Sequence, residues 1–279
     1  MDINYLPKSL NLDDNLDIQV FAYNTSKSST KQKISLTQNV ISFLVEGAKE
    51  VTSENTPIHI ENSSFLIIKK DHCLMTEKLS SSEANYRSIL LFFSDEAISQ
   101  FMKKHNIFKK KKEQSHSVTP IDYDNYTNAI VKSLLEISKL TMGTQKKMLQ
   151  VKFEELILYL INTKGAEYMS SFFMDNATIT NKFISVVERN KLNKLSLKEL
   201  SFLSFMSISS FKRAFSNHFS ESPSKWFLDR RLEHSAYLLL QKKQRVSDVY
   251  NEVGYKTLSS FIQAFKAKYG VTPKQYKRD

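Results

Sequence analysis

Between Leu195 and Lys277 the chain carries one short pattern twice. The first copy runs Ser196-Leu197-Lys198-Glu199-Leu200, then Met206-Ser207-Ile208-Ser209-Ser210-Phe211-Lys212-Arg213-Ala214-Phe215, then Phe219-Ser220-Glu221-Ser222-Pro223. The second runs Ser247-Asp248-Val249-Tyr250-Asn251, then Lys256-Thr257-Leu258-Ser259-Ser260-Phe261-Ile262-Gln263-Ala264-Phe265-Lys266, then Tyr269-Gly270-Val271-Thr272-Pro273. Setting Phe211 on Phe261 brings Phe215 onto Phe265, Phe219 onto Tyr269 and Pro223 onto Pro273. A repeat of about fifty residues marks two copies of one supersecondary unit.

Each copy follows helix-turn-helix logic: a short helix, a tight turn and a second helix for the major groove. In copy one, Ser196 with Glu199 three residues on forms a capping box, and Leu197, Leu200 and Leu203 give the first helix its apolar face. Ser207 caps the second helix, where Phe211, Phe215 and Phe219 step by four along a buried stripe. Its open face carries Ser209, Lys212, Arg213, Ser216 and Asn217. Arg213 suits guanine O6 and N7, and Lys212 a base or a phosphate. In copy two, Ser247, Val249 and Val253 build the first helix, Gly254 ends it and Thr257 caps the next. The stripe is Phe261, Phe265 and Tyr269, and the open face carries Leu258, Ser259, Ser260, Gln263 and Lys266. Gln263 stands where Arg213 stands, so the two helices should prefer different bases; Leu258 suits a thymine methyl. Between the copies, Pro223 opens a long helix to about Gln241 with Trp226, Phe227, Leu232, Ala236, Leu239 and Leu240 as its core. That spacer sets the two second helices about one DNA turn apart, roughly 34 Å.

Charge points to the same partner. Of the 40 Lys and Arg, 19 lie between Asp175 and Asp279, against 9 of the 29 Asp and Glu, so +10 of the net +11 belongs to the repeat region. A polyanion, double-stranded DNA before anionic membrane, is the expected partner. The single cysteine, Cys73, excludes an intrachain disulfide and a cysteine-based metal cluster. Met1 to Tyr5 lacks a basic region ahead of an apolar run, so no signal peptide is expected, and no apolar run is long enough to span a bilayer.

The N-terminal half reads differently. Residues 1 to about 30 read as a loose, polar arm with strand character only at Ile18 to Phe21. From Ile34 to Phe93 short β-like runs alternate with turns: Val40 to Val45, Ile58 to Ile60, Phe65 to Ile68 and Tyr86 to Phe93, with Glu46-Gly47 as a turn. Such spacing predicts an antiparallel barrel or sandwich. Asp95 to His105 reads as a helix with Ile98, Phe101 and Met102 on one face. The lysines at 103–104 and 109–112 read as a solvated run. Two further helices, over residues 121–142 and 145–162 with Gly143 as the break, form a hairpin whose surplus apolar surface fits a homodimer contact.

A catalytic metal barrel needs several His and a carboxylate converging on one ion. His59 and His72 are the only barrel histidines, so neither a metal nor another cofactor is expected. Cys73 beside His72 lacks a third member for nucleophilic chemistry. The rival reading, a cupin-type enzyme fused to a DNA-binding tail, is thereby disfavoured, and no enzyme activity is expected.

The repeat region resembles the C-terminal domain of AraC-family transcription regulators. The resemblance rests on Met206-Ser207, Ser209, Phe211, Arg213, Phe215, Ser222-Pro223, Arg231-Leu232-Glu233, Leu238-Leu239, Val253-Gly254-Tyr255 and Phe265-Lys266 through Tyr269 to Pro273. Ser220 departs from the family's usual Gly, and Ser235 and Tyr250 from its usual Ala. The resemblance implies base contacts from Ser209, Lys212 and Arg213 in one unit and from Leu258, Ser259, Ser260 and Gln263 in the other. The N-terminal half is similar to the cupin-like domains of the subgroup that includes type III secretion activators. The expected fold is therefore α+β: residues 1–163 an antiparallel cupin-like barrel with a helical hairpin, 164–178 a linker, 179–279 an all-α domain with two helix-turn-helix units. The expected function is a cytoplasmic, nucleoid-associated regulator, an activator working with RNA polymerase. It would be controlled by a small-molecule effector or a protein anti-activator.

Overall fold

In the computed structural model, residues 3–53, 57–107, 117–167, 169 and 179–277 are described. They divide into two compact units, Met1–Thr178 and Ile179–Asp279. The lysine run at 109–112, and residues 168 and 170–178 of the expected linker, lie outside the described residues.

In the first unit, apolar residues on both faces of the central strands require cover on both sides. Strands β1 (Ile3–Leu6), β2 (Ile18–Thr25), β3 (Ser29–Leu36), β4 (Asn39–Glu46), β5 (Ala48–Thr52), β6 (Ile58–Ile60), β7 (Ser64–Ile68), β8 (His72–Lys78), β9 (Tyr86–Phe93) and β10 (Val118–Asp122) make two five-stranded sheets. Their orders are β1-β3-β8-β5-β6 and β10-β7-β4-β9-β2. All pairings are antiparallel except β1 with β3. Strand periodicity sorts neighbours to opposite faces. Val40, Leu44, Leu66, Ile68, Leu90 and Phe92 meet Ile34, Leu36, Val51, Cys73 and Met75 of the other sheet. Ile41, Phe43, Phe65, Ile67, Ile89, Leu91 and Phe93 face outward, beneath helices α1 (Asp95–Lys104), α2 (Asn125–Ile137) and α3 (Met142–Lys164). Caps start two of these helices: Ser94 accepts from the Ala97 N–H, and Asp124 from that of Thr127. Gly47 turns β4 into β5 at φ 93°, where a Cβ would lie 2.5 Å from the Lys78 carbonyl oxygen.

Several expectations change here. The first thirty residues are not a loose arm, because β2 pairs with β9 along eight residues, from Ile18 opposite Phe93 to Thr25 opposite Tyr86. Strands β5, β8 and β10 were not foreseen. Residues 121–122 belong with Pro120 to β10, an edge strand where a missing N–H is tolerated, so the helix expected from residue 121 starts at Asn125. Gly143 sits in the first turn of α3, and the hairpin breaks at residues 138–141 instead. His59 is exposed opposite buried Ile60, as its alternation predicts, and Cys73 is fully buried between the sheets. Among the described residues no helix is long and apolar enough to cross a membrane.

The second unit is all helix: α4 (Ile179–Arg189), α5 (Leu197–Leu203), α6 (Ile208–Phe219), α7 (Pro223–Leu240), α8 (Val246–Glu252), α9 (Leu258–Tyr269) and α10 (Pro273–Tyr276). Pro223 starts α7 at its first turn, where its absent N–H goes unmissed, and Ser222 caps it. Leu240 is 39% exposed, while Leu238 packs inward, so the α7 stripe ends one step earlier than expected. Helix α6 ends on Ser220 at φ 57°, helix α9 on Gly270 at φ 78°. A left-handed residue with a Cβ is strained where glycine is not. Ser220→Gly is therefore expected to stabilise the chain by about 0.5–1 kcal/mol, read as a higher denaturant midpoint at unchanged slope.

Candidate nucleic-acid interface

Local chemistry positions α6 and α9. The Ser196 Oγ accepts from the Glu199 N–H while the Glu199 carboxylate accepts from the Ser196 N–H at 2.6 Å, closing the capping box that starts α5. The chain then turns through Phe205 in the left-handed region, with the Met206 N–H donating to the Ser201 carbonyl. Ser207 caps α6 through the Ser210 N–H. In the second copy Gly254 takes the left-handed position and Thr257 caps α9 through the Ser260 N–H.

The first two rings of each stripe are buried as expected, and the third, Phe219 or Tyr269, is half-buried. Phe211 and Phe215 are inaccessible, with ring centroids 5.8 Å apart, and Phe261 and Phe265 are likewise inaccessible at 5.7 Å. Phe183 of α4, a core residue the repeat pattern did not announce, lies 5.4 Å from Phe211 and 6.3 Å from Phe219. Phe215 also meets Trp226 at 5.7 Å, and Phe265 meets Tyr276 at 5.2 Å. Burial raises the Tyr269 hydroxyl to about 12. Burial also raises the Tyr255 hydroxyl. Both rings are thus neutral core members.

The copies are not fully equivalent. Helices α6 and α9 are both 12 residues long, but α6 begins 11 residues after α5 begins, and α9 begins 12 after α8 begins. Ser247 therefore does not stand where Ser196 stands. It lies inside the first turn of α8, behind Arg245, which supplies no side-chain cap. Its hydroxyl donates to Asp248 instead. Tyr250 packs beside the second core.

Every residue expected to meet DNA is exposed: Ser209, Lys212, Arg213 and Ser216 on α6, and Leu258, Ser259, Ser260, Gln263 and Lys266 on α9. Ser260 is the exception in availability, because its hydroxyl is already engaged with the Thr257 Oγ1 and carbonyl oxygen at 2.9 Å each. Some other cations in this unit are neutralised locally: Arg230 pairs with Glu233 at 2.7 Å and Lys268 with Asp229 at 3.1 Å. Among the described residues Lys212, Arg213 and Lys266 enter no ion pair. Exposed Lys242, Lys243 and Arg245 before α8, and Lys256 before α9, extend the basic surface. They were missed by sequence reasoning that followed the repeat, though the run Lys242-Lys243-Gln244-Arg245 is itself a charge signal.

The family descriptions "ExsA N-terminal regulatory domain" and "Helix-turn-helix domain" match residues 39–172 and 203–279. The chain belongs to the AraC family. Its N-terminal unit is of the ExsA type. It is 28% identical over 127 residues to the virulence regulon transcriptional activator VirF of Yersinia enterocolitica, a match covering 45% of this chain and 47% of VirF. It is 25% identical over 124 residues to the regulator ExsA of Pseudomonas aeruginosa, covering 44% and 45%. The matched part thus spans about half the length of these curated relatives. The Msm operon regulatory protein of Streptococcus mutans is 21% identical over 281 residues, covering 95% of this chain and 94% of its own. Within the AraC family the unusual Ser220 is accommodated in the left-handed conformation, and Ser235, fully buried, donates to the Leu232 carbonyl oxygen at 2.6 Å.

Proposed function

We propose that this chain is a sequence-specific transcription activator that reads two successive major grooves with α6 and α9. The observation that carries the reading is the pair of capped, twelve-residue helices whose exposed faces hold cations with no carboxylate partner among the described residues. An uncompensated cation on an open helix face is what a phosphate or a guanine edge complements. Arg213 and Lys212 make α6 the stronger base reader. With Ser260 engaged in its cap, α9 reads through Leu258, Ser259 and Gln263, and Lys266 meets the backbone.

The N-terminal unit is the regulatory one in this reading, governed by a small molecule or a partner protein, with RNA polymerase as the target of activation. Exposed Met148, Val151 and Leu158, spaced three and seven residues along α3, support self-association through the α2–α3 hairpin. The relatives' roles as transcription regulators support the regulatory reading over the enzymatic one.

The test is titration of duplex DNA carrying the chain's own promoter site. Arg213→Ala should weaken binding to that site by about 1–3 kcal/mol, roughly 5- to 150-fold, while binding to scrambled duplex changes little. Affinity should fall steeply with salt for both proteins. Affinity independent of salt, or an equal loss on specific and scrambled DNA, would refute base reading by α6.

A further inference from the structure

The two sheets of the N-terminal unit do not close completely on each other. They leave a cavity of about 200 Å³. Apolar side chains such as Met75 and Phe92 make about half of its wall; Asn4, Ser9 and Gln32 also line it, and Lys49, Glu77, Tyr23 and Ser42 cluster at its polar end. Lys49 is 3% exposed, its Nζ donating to the Ser42 Oγ at 3.1 Å and lying 3.6 Å from a Glu77 carboxylate oxygen. Burial works against its charge, but the Tyr86 hydroxyl and the Glu77 carboxylate outweigh burial and raise its pKa. Burial, with Glu77 beside it, raises the Tyr23 hydroxyl to about 12.

A buried ion pair rarely contributes more than apolar packing in its place. This pair is moreover placed in the wall of a cavity. Among the described residues, Lys49 and Glu77 are the only charged ones lining the cavity, and their charges balance. A charged guest would have to leave water and upset a balanced pair. A purely apolar guest would cover the polar end without satisfying it. We propose that the cavity binds a small uncharged molecule with an apolar body and one polar end that both donates and accepts a hydrogen bond, such as a hydroxyl or a primary amide. Size follows from volume: a cavity of about 150 Å³ holds benzene, so this one takes a single ring or a short chain. Lys49 meets the acceptor lone pair of the guest, and Glu77 takes its proton in a hydrogen bond.

This inference deepens the regulatory reading of the N-terminal unit, on which only its consequence for DNA binding rests. The experiment reads the cavity itself, so failure to bind a probe and failure to bind DNA are separate results. The full chain carries 8 methionines, one of which, Met75, lines the cavity. With ¹³C-methyl methionine labelling, benzyl alcohol, benzoate, benzylamine and toluene are titrated in turn. Benzyl alcohol should move the Met75 methyl resonance saturably and leave the other methionines in place. Benzoate and benzylamine should bind at least about tenfold more weakly. In a Lys49→Leu/Glu77→Leu double variant, toluene should bind at least as well as benzyl alcohol. The proposal is overturned if benzyl alcohol gives no saturable shift at Met75, if either charged probe matches it, or if the order of affinities is unchanged in the double variant.

Discussion

Phe215→Ala is expected to destabilise the C-terminal unit by about 3–5 kcal/mol and to abolish duplex binding. The ring is fully buried and sits at the centre of an aromatic group, with centroids 5.8 Å from Phe211, 4.5 Å from Phe219, 5.7 Å from Trp226 and 5.8 Å from Phe227. Removing it takes away transfer free energy and leaves a cavity that neighbours from α6 and α7 cannot fill without moving. Those two helices are the ones that aim Lys212 and Arg213 outward, so the basic face is lost with the core. The chain's single tryptophan, Trp226, lies within this group and gives a direct readout by its fluorescence during denaturant unfolding. Phe219→Ala, at the half-buried end of the stripe, should cost clearly less. A loss below about 1 kcal/mol for Phe215→Ala would mean that the repeated phenylalanines do not form the core.

The aromatic stripe and its caps were legible from sequence because each obeys a local rule. A four-residue step buries one helix face, and a Ser or Thr followed by polar residues starts a helix. The one-residue difference between the copies was not legible. Ser247 imitates Ser196 in the letters, and only the backbone shows that α8 starts at Val246. The sheet was read unevenly for a physical reason. Strands β4, β7 and β9 are apolar on both faces and stand out as runs. Strands β5 and β8, with sequences AKEVT and HCLMTEK, hide because they carry Lys49 and Glu77 inward. A charge at a buried position breaks the alternation on which strand recognition depends. The strands hardest to see are thus the ones that build the polar end of the cavity. The exposed residues of α6 and α9 were legible by type and phase. The engagement of Ser260 in its own helix cap depends on a hydroxyl rotamer that no spacing encodes.

That inward pair supports the second large expectation. Lys49→Leu alone leaves the Glu77 carboxylate buried without its cation, and Glu77→Leu alone leaves a buried ammonium without its carboxylate. Each single change should cost about 3–5 kcal/mol, because the remaining charge keeps its desolvation penalty and loses the attraction that offset it. The double variant should lie within about 1 kcal/mol of the parent or above it, since two leucines pack against Met75 and Phe92 with no charge to compensate. The cycle therefore predicts a coupling free energy well beyond the few tenths expected for independent sites. Urea unfolding of the four proteins, followed by far-ultraviolet circular dichroism of the sheet, measures it. Additive losses would mean that the two groups are solvated separately despite their 3.6 Å approach. A near-neutral double variant would show that the fold does not need the pair, which leaves the cavity's polar end to be explained by what binds there.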